Sequence, residues 1–100
     1  MTKSFAIIKC ADGFTMSVQA GNGMNYSSPR KGPGPFTAVE VGFPNAREEL
    51  LMPYIDGDAE TTEPTDTVYG FVPARVILEV VTKHGGQLAG EMPWLQLGGE

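Results

Sequence analysis

The dipeptide Asp12-Gly13, set between two runs that alternate apolar and polar residues, constrains this chain more than any other feature. Asp-Gly tolerates the positive φ angles of a tight hairpin turn, and alternation marks a strand with one buried face. Ser4–Cys10 and Phe14–Ala20 therefore read as the arms of a β-hairpin. A two-residue turn at Asp12-Gly13 pairs Ile7 with Val18 and Phe5 with Ala20. Phe5, Ile7, Phe14, Met16, Val18 and Ala20 then share one face, with Thr15, Ser17 and Gln19 on the other. Ile8 and Cys10 fall on that second face, which predicts that it is partly covered.

Past Gly21–Asn25 the chain enters a loop, Tyr26-Ser-Ser-Pro-Arg-Lys-Gly-Pro-Gly34, stiffened by Pro29 and Pro33 and freed at Gly32 and Gly34. Phe36–Phe43 reads as a third strand, with Thr37, Val39, Val41 and Phe43 on one face, Glu40 on the other, and Pro44 as its stop. Asn45-Ala-Arg-Glu48 has the form of a capping box. Pro53 leaves room for only one or two turns after it, and Leu50-Leu51-Met52 fits a short strand equally well. Asp56, Asp58, Glu60, Glu63 and Asp66 make the next stretch a solvated acidic loop, and Thr67–Val72 reads as another strand.

Pro73–His84 carries the clearest helical pattern. Proline suits the first position, Val76, Ile77, Val80 and Val81 form an apolar stripe, and Arg75, Glu79, Thr82 and Lys83 face out. Glu79 and Lys83 are spaced as an i,i+4 ion pair, and Gly85-Gly86 ends the helix.

One hundred residues make a single domain able to bury a core without metal or disulfide staples. The expected fold is α+β: a small antiparallel sheet of four to five strands with one C-terminal helix packed on one face. Residues 1–86 form the domain, and 87–100 are expected as a C-terminal tail around Trp94. The net charge of −5 argues against direct binding to nucleic acid. Lys3, Lys9, Arg30, Lys31 and Arg47 lie in the first half with only Asp12 and Glu40, whereas Arg75 and Lys83 are the only bases after residue 47. Such an uneven balance can steer a basic partner to one face. A lone Cys10 excludes an internal disulfide, and the opening apolar run is too short for a signal peptide or a membrane span, so a reducing cytoplasm is expected.

Enzymatic motifs are missing from the pattern. There is one histidine and one cysteine, with no Gly-x-Ser-x-Gly elbow. Cys10 falls in the hairpin, where a small buried hydrophobe is expected, and His84 falls at the helix end, where capping and packing account for it. Asp56-x-Asp58-x-Glu60 resembles the start of a calcium loop, but Thr61 and Thr67 stand where that loop requires Gly and Glu. No metal, cofactor or catalytic residue is therefore predicted. The candidate binding residues are Tyr26, Ser27, Ser28, Arg30 and Lys31, because hydroxyls, a guanidinium fork and the open backbone of Gly32-x-Gly34 are the groups that hold phosphate or an acidic surface. A purely structural inter-strand loop is the other reading.

The run Asp12–Ala20, then Tyr26-Ser-Ser-Pro-Arg30, Gly34-Pro-Phe36, Val39–Pro44, Leu51-Met-Pro-Tyr54, Thr67–Pro73 and Lys83-His-Gly-Gly86 resembles a group of small uncharacterised proteins of tailed bacteriophages and prophages, over about residues 5–86. The resemblance implies a phage accessory protein in the host cytoplasm that binds and inhibits a component of host antiviral defence. It carries over no site residue. The alternatives are sequestration of a small phosphate-bearing signalling ligand, at a homo-oligomer interface, and a minor virion or assembly role.

Overall fold

The hairpin turn forms, and its length sets the register of the sheet. The structure is a computed structural model that describes residues 4–97. The Gly13 N–H donates to the Cys10 carbonyl (3.0 Å) and the Cys10 N–H to the Phe14 carbonyl (2.9 Å). The loop is thus three residues, Ala11-Asp12-Gly13, and not two. Gly13 at φ +97° is the left-handed residue that closes such a loop with a bulge. Strand β1 (Ile8–Cys10) pairs antiparallel with β2 (Thr15–Gln19), Ile8 opposite Met16. The expected pairs of Ile7 with Val18 and Phe5 with Ala20 are one residue out of step. A one-residue slip exchanges the faces of a strand, so Ile8 and Cys10 enter the core while Ile7 is 60% exposed. On the other arm Phe14, Met16, Val18 and Ala20 are buried as expected.

Three further strands complete the sheet: β3 (Ala38–Gly42), β4 (Val68–Pro73) and β5 (Gln87–Ala89). All neighbours are antiparallel, in the order β4-β3-β2-β1-β5. On β3 only Val39 and Val41 of the expected face are buried. Thr37 and Phe43 are exposed, because the chain leaves the strand after Gly42 and Phe43 turns to φ +49°. Of the expected tail, Gln87–Ala89 is hydrogen-bonded to β1, and Phe36 bridges Leu95, its N–H donating to the Trp94 carbonyl at 2.7 Å.

Helix α1 (Ala74–Lys83) follows β4 without a loop, Pro73 serving as its N-cap. Its first N–H, from Ala74, donates to the Thr37 carbonyl beside β3, while the His84 and Gly86 carbonyls at its far end accept from Asp12 and Ala11 in the β1–β2 turn. Ten residues rise about 15 Å, and β4 to β1 is three strand spacings, about 14 Å. The helix therefore just spans the sheet, laying Val76, Ile77 and Val80 on Ile8, Met16, Val18, Val39, Val41 and Val72 in one core. Each fully buried aliphatic side chain there contributes about 1.5–3 kcal/mol.

The capping box does not form. The Asn45 amide instead clamps the hairpin, accepting from the Thr15 N–H (3.0 Å) and donating to the Gly13 carbonyl (2.9 Å). Glu48 is buried, and the only helical turn nearby is a 3₁₀ turn at Met52–Tyr54. Lys83 sits 2.7 Å from Glu48 rather than serving as the helix-surface partner expected for Glu79.

Candidate functional site

The five candidate binding residues do not converge. Gly21–Gly32 folds as a small excursion closed by bonds between Gly23 and Arg30 and between Gly32 and Gly21. Ser27 sits inside it at 1% exposure. Its hydroxyl donates to the Pro29 carbonyl (2.8 Å) and accepts from the Gly21 N–H (3.1 Å). It holds the loop and does not line a phosphate pocket. Ser28 is exposed, and its backbone bridges Ala38. The Arg30 guanidinium donates to the Gly23 carbonyl at 2.7 Å, and Lys31 lays its aliphatic stem against Gly23. The Gly32 amide expected to cradle an anion is already given to Gly21.

Tyr26 points elsewhere, onto β4. There the pairing with β3 shifts between Val39–Val72 and Val41–Tyr69, so that Gly70 and Phe71 together oppose Glu40. This is a β-bulge, and Phe71 occupies it at φ +51°. A bulky residue in the left-handed region is a genuine outlier, at a cost of about 1–2 kcal/mol. The bulge holds the Phe71 ring half-exposed, 5.8 Å from the Tyr26 ring and tilted by 36° to it, while the Phe71 N–H donates to the Tyr26 carbonyl (3.1 Å). Gly70 permits this packing, since a Cβ there would sit only 3.1–3.3 Å from Tyr26 side-chain atoms. Tyr54 at the end of the 3₁₀ turn, with Ile55 and Asp56 just after it, completes a groove of about 220 Å³. Ile55 bridges Tyr69, and the Asp56 N–H donates to the Val68 carbonyl, so the groove wall is fixed to β4. The acidic loop is anchored from below, where the buried Tyr69 hydroxyl donates to the Pro64 carbonyl.

Periodicity along 67–72 does not by itself show this site. The available signal is Gly70, because an isolated glycine inside a strand pattern marks a bulge. Nothing local in the sequence places Tyr26 or Tyr54 beside it.

A second polar cluster lies at the end of α1. The His84 ring stacks on Phe14 with centroids 4.1 Å apart. Its Nδ1 is 2.6 Å from Asp12 Oδ2 and its Nε2 is 2.6 Å from Glu48 Oε1. Two carboxylates on two ring nitrogens require an imidazolium donating twice. Burial disfavours that charge, but the bonds to Asp12 and Glu48 outweigh it and hold the His84 pKa above the usual value. Asp12 lies below the usual carboxyl range, chiefly through the Phe14 N–H and then through His84. For Glu48, burial pushes the pKa up, and the bonds from Lys83, the Leu50 N–H and His84 together bring it below the ordinary value. Both His84 nitrogens are thus committed to structure. Burial, and then Asp12, raise the Cys10 pKa, the opposite of an activated thiolate. Cys10 and His84 occupy the packing and capping roles expected of them. Among the described residues no group of three or more His, Cys, Asp or Glu is placed to hold a metal ion, and no helix is long and apolar enough to cross a membrane.

Compared with protein-family models, with curated proteins and with solved structures, the chain finds no match.

Proposed function

We propose that the protein acts by binding, and that its contact surface is the aromatic face around Tyr26 and Phe71. The observation that carries this reading is the strained Phe71. Its ring stays half-exposed where it stands, and the backbone at that position is held at φ +51°. Strain kept at an exposed side chain points to use at that position, and aromatic anchors dominate protein contacts. Taken with the resemblance of residues 5–86 to small phage proteins, the partner is a component of host antiviral defence that the protein inhibits by covering it.

Phe71→Asn tests this directly, because asparagine tolerates the left-handed region. The variant should unfold within about 1 kcal/mol of the wild type. In defence-carrying cells challenged with phage, the wild type should restore plating and co-purify with one defence protein, and Phe71→Asn should lose both. Recovery of virion proteins alone, or full activity of the variant, would discard the reading.

Arg30 and Lys31 keep a separate role to be measured. Both are exposed, and the Arg30 contact is a single bond to a loop carbonyl. The double change Arg30→Ala/Lys31→Ala should cost no more than about 1 kcal/mol of stability. If these cations belong to the contact surface, partner affinity falls in that variant and its salt dependence flattens; unchanged affinity makes the loop merely structural.

A further inference from the structure

We infer that the groove between Tyr26, Tyr54, Asp56 and Phe71 seats a cationic side chain, an arginine, from a basic segment of a partner protein. This rests on the binding reading above and supplies the chemistry of the partner.

Three aromatic side chains line one groove, and ring faces carry the negative end of a quadrupole that attracts cations. Asp56 adds a full negative charge to the same wall. It also opens the run Asp56, Asp58, Glu60, Glu63 and Asp66, which holds no base, so the potential along that loop is negative. An anionic ligand would meet that field head-on. A purely apolar anchor would bury Asp56 without a partner, which is costly. A cation satisfies both the rings and the carboxylate.

Size and shape narrow the choice. About 220 Å³ is below the roughly 300–1,000 Å³ of small-molecule sites, so the groove suits one side chain rather than a nucleotide. The Tyr26 and Phe71 rings, 5.8 Å apart and inclined by 36°, both line the groove, where a planar group can lie against a ring face. Guanidinium is planar, weakly hydrated and able to stack on a ring while donating to a carboxylate, whereas ammonium is a compact, strongly hydrated point charge. Arginine is therefore the better occupant.

The test is an NMR titration of the full chain with a blocked Gly-Gly-Arg-Gly-Gly peptide and with its twin carrying citrulline, the neutral isostere. The arginine peptide should shift the amide resonances of Ile55, Gly70 and Phe71 saturably, and the citrulline peptide should bind about fivefold more weakly or worse. Asp56→Asn should bring the arginine peptide down to the citrulline level. The substitution leaves the fold in place, because the bonds of Asp56 to Val68 and Thr67 are made by its backbone. Equal binding of both peptides, no saturable shift in the groove, or an Asp56→Asn variant that binds arginine as well as the wild type would each overturn the inference. Its failure is separable from that of the function proposed above. Arginine-specific binding without recovery of a defence protein removes only the host-defence reading. A defence protein that binds Asp56→Asn undiminished removes only the arginine seat.

Discussion

Ile8→Ala should destabilise the protein by about 2–5 kcal/mol, and Ile7→Ala by no more than about 0.5 kcal/mol. The two residues are adjacent and chemically identical, so the difference reads the hairpin register and little else. Ile8 is fully buried against the core, and truncation there removes apolar contact and leaves a cavity. Ile7 is exposed and loses almost nothing. For a domain of this length each kcal/mol moves the Tm by about 4–8 °C, which places the Ile8 variant at least about 8 °C below the wild type. Thermal or urea unfolding of the two variants measures this. A two-residue turn at Asp12-Gly13 would give the reverse order, with Ile7 as the costly position, and that outcome would refute the register described here.

The second large effect belongs to Glu48. Its side chain is 1% exposed and receives Lys83 at 2.7 Å and His84 at 2.6 Å, together with the Leu50 N–H at 2.9 Å. Glu48→Gln keeps the shape and removes the charge that both cations face. Breaking a fully buried ion pair costs about 3–5 kcal/mol; Lys83 here is half in water, so about 2–3 kcal/mol is expected. The effect is pH-dependent, and its sign follows from the shifts. His84 is raised, so its contribution is fully present below its unfolded value near 6.5 and is lost as pH rises through the higher folded value. Asp12 and Glu48 are lowered, so theirs are present above the unfolded values of 3.8 and 4.5 and are lost as pH falls through the folded ones. These contributions coincide between about pH 4.5 and 6.5, where the stability they provide should peak. Once pH passes the raised folded value of His84, the neutral ring has one N–H for two carboxylates, and one of the two contacts is lost. Unfolding curves across pH check this: in Glu48→Gln the decline above pH 6.5 should shrink, and a decline as steep as the wild type's would show that the cluster is not its source.

Local signals and long-range packing divide this molecule in a definite way. Pro73 and Gly85-Gly86 bracket the helix, and its apolar stripe at Val76, Ile77 and Val80 is the face that is buried. Asp12-Gly13 marks the hairpin, and the alternation of Met16, Val18, Val39 and Val41 marks the core face of two strands. Each of these depends on residues within a turn or two of one another, so the sequence carries them, and with them the α+β class.

Register is different. Asp12-Gly13 fits a two-residue or a three-residue loop, and the choice between them decides which of Ile7 and Ile8 is inside. Only the closed core, with β5 and α1 in place, selects Ile8. The same holds for Glu48, which joins His84 across 36 positions and so escapes any local pattern such as a capping box. It holds also for the binding face. Tyr26 was legible as a candidate, but its partners come from a 3₁₀ turn at Met52–Tyr54 and a bulge at Gly70 and Phe71, brought together by β4. Ser27, equally suggestive in sequence, turns inward because the loop needs its hydroxyl for Pro29 and Gly21. Turn chemistry and period, which act over a few residues, are enough to mark the hairpin, strands β2 to β4 and the helix with its buried stripe. Tertiary structure alone decided the register, the bulge and the company each side chain keeps, because those depend on contacts between residues far apart in the chain.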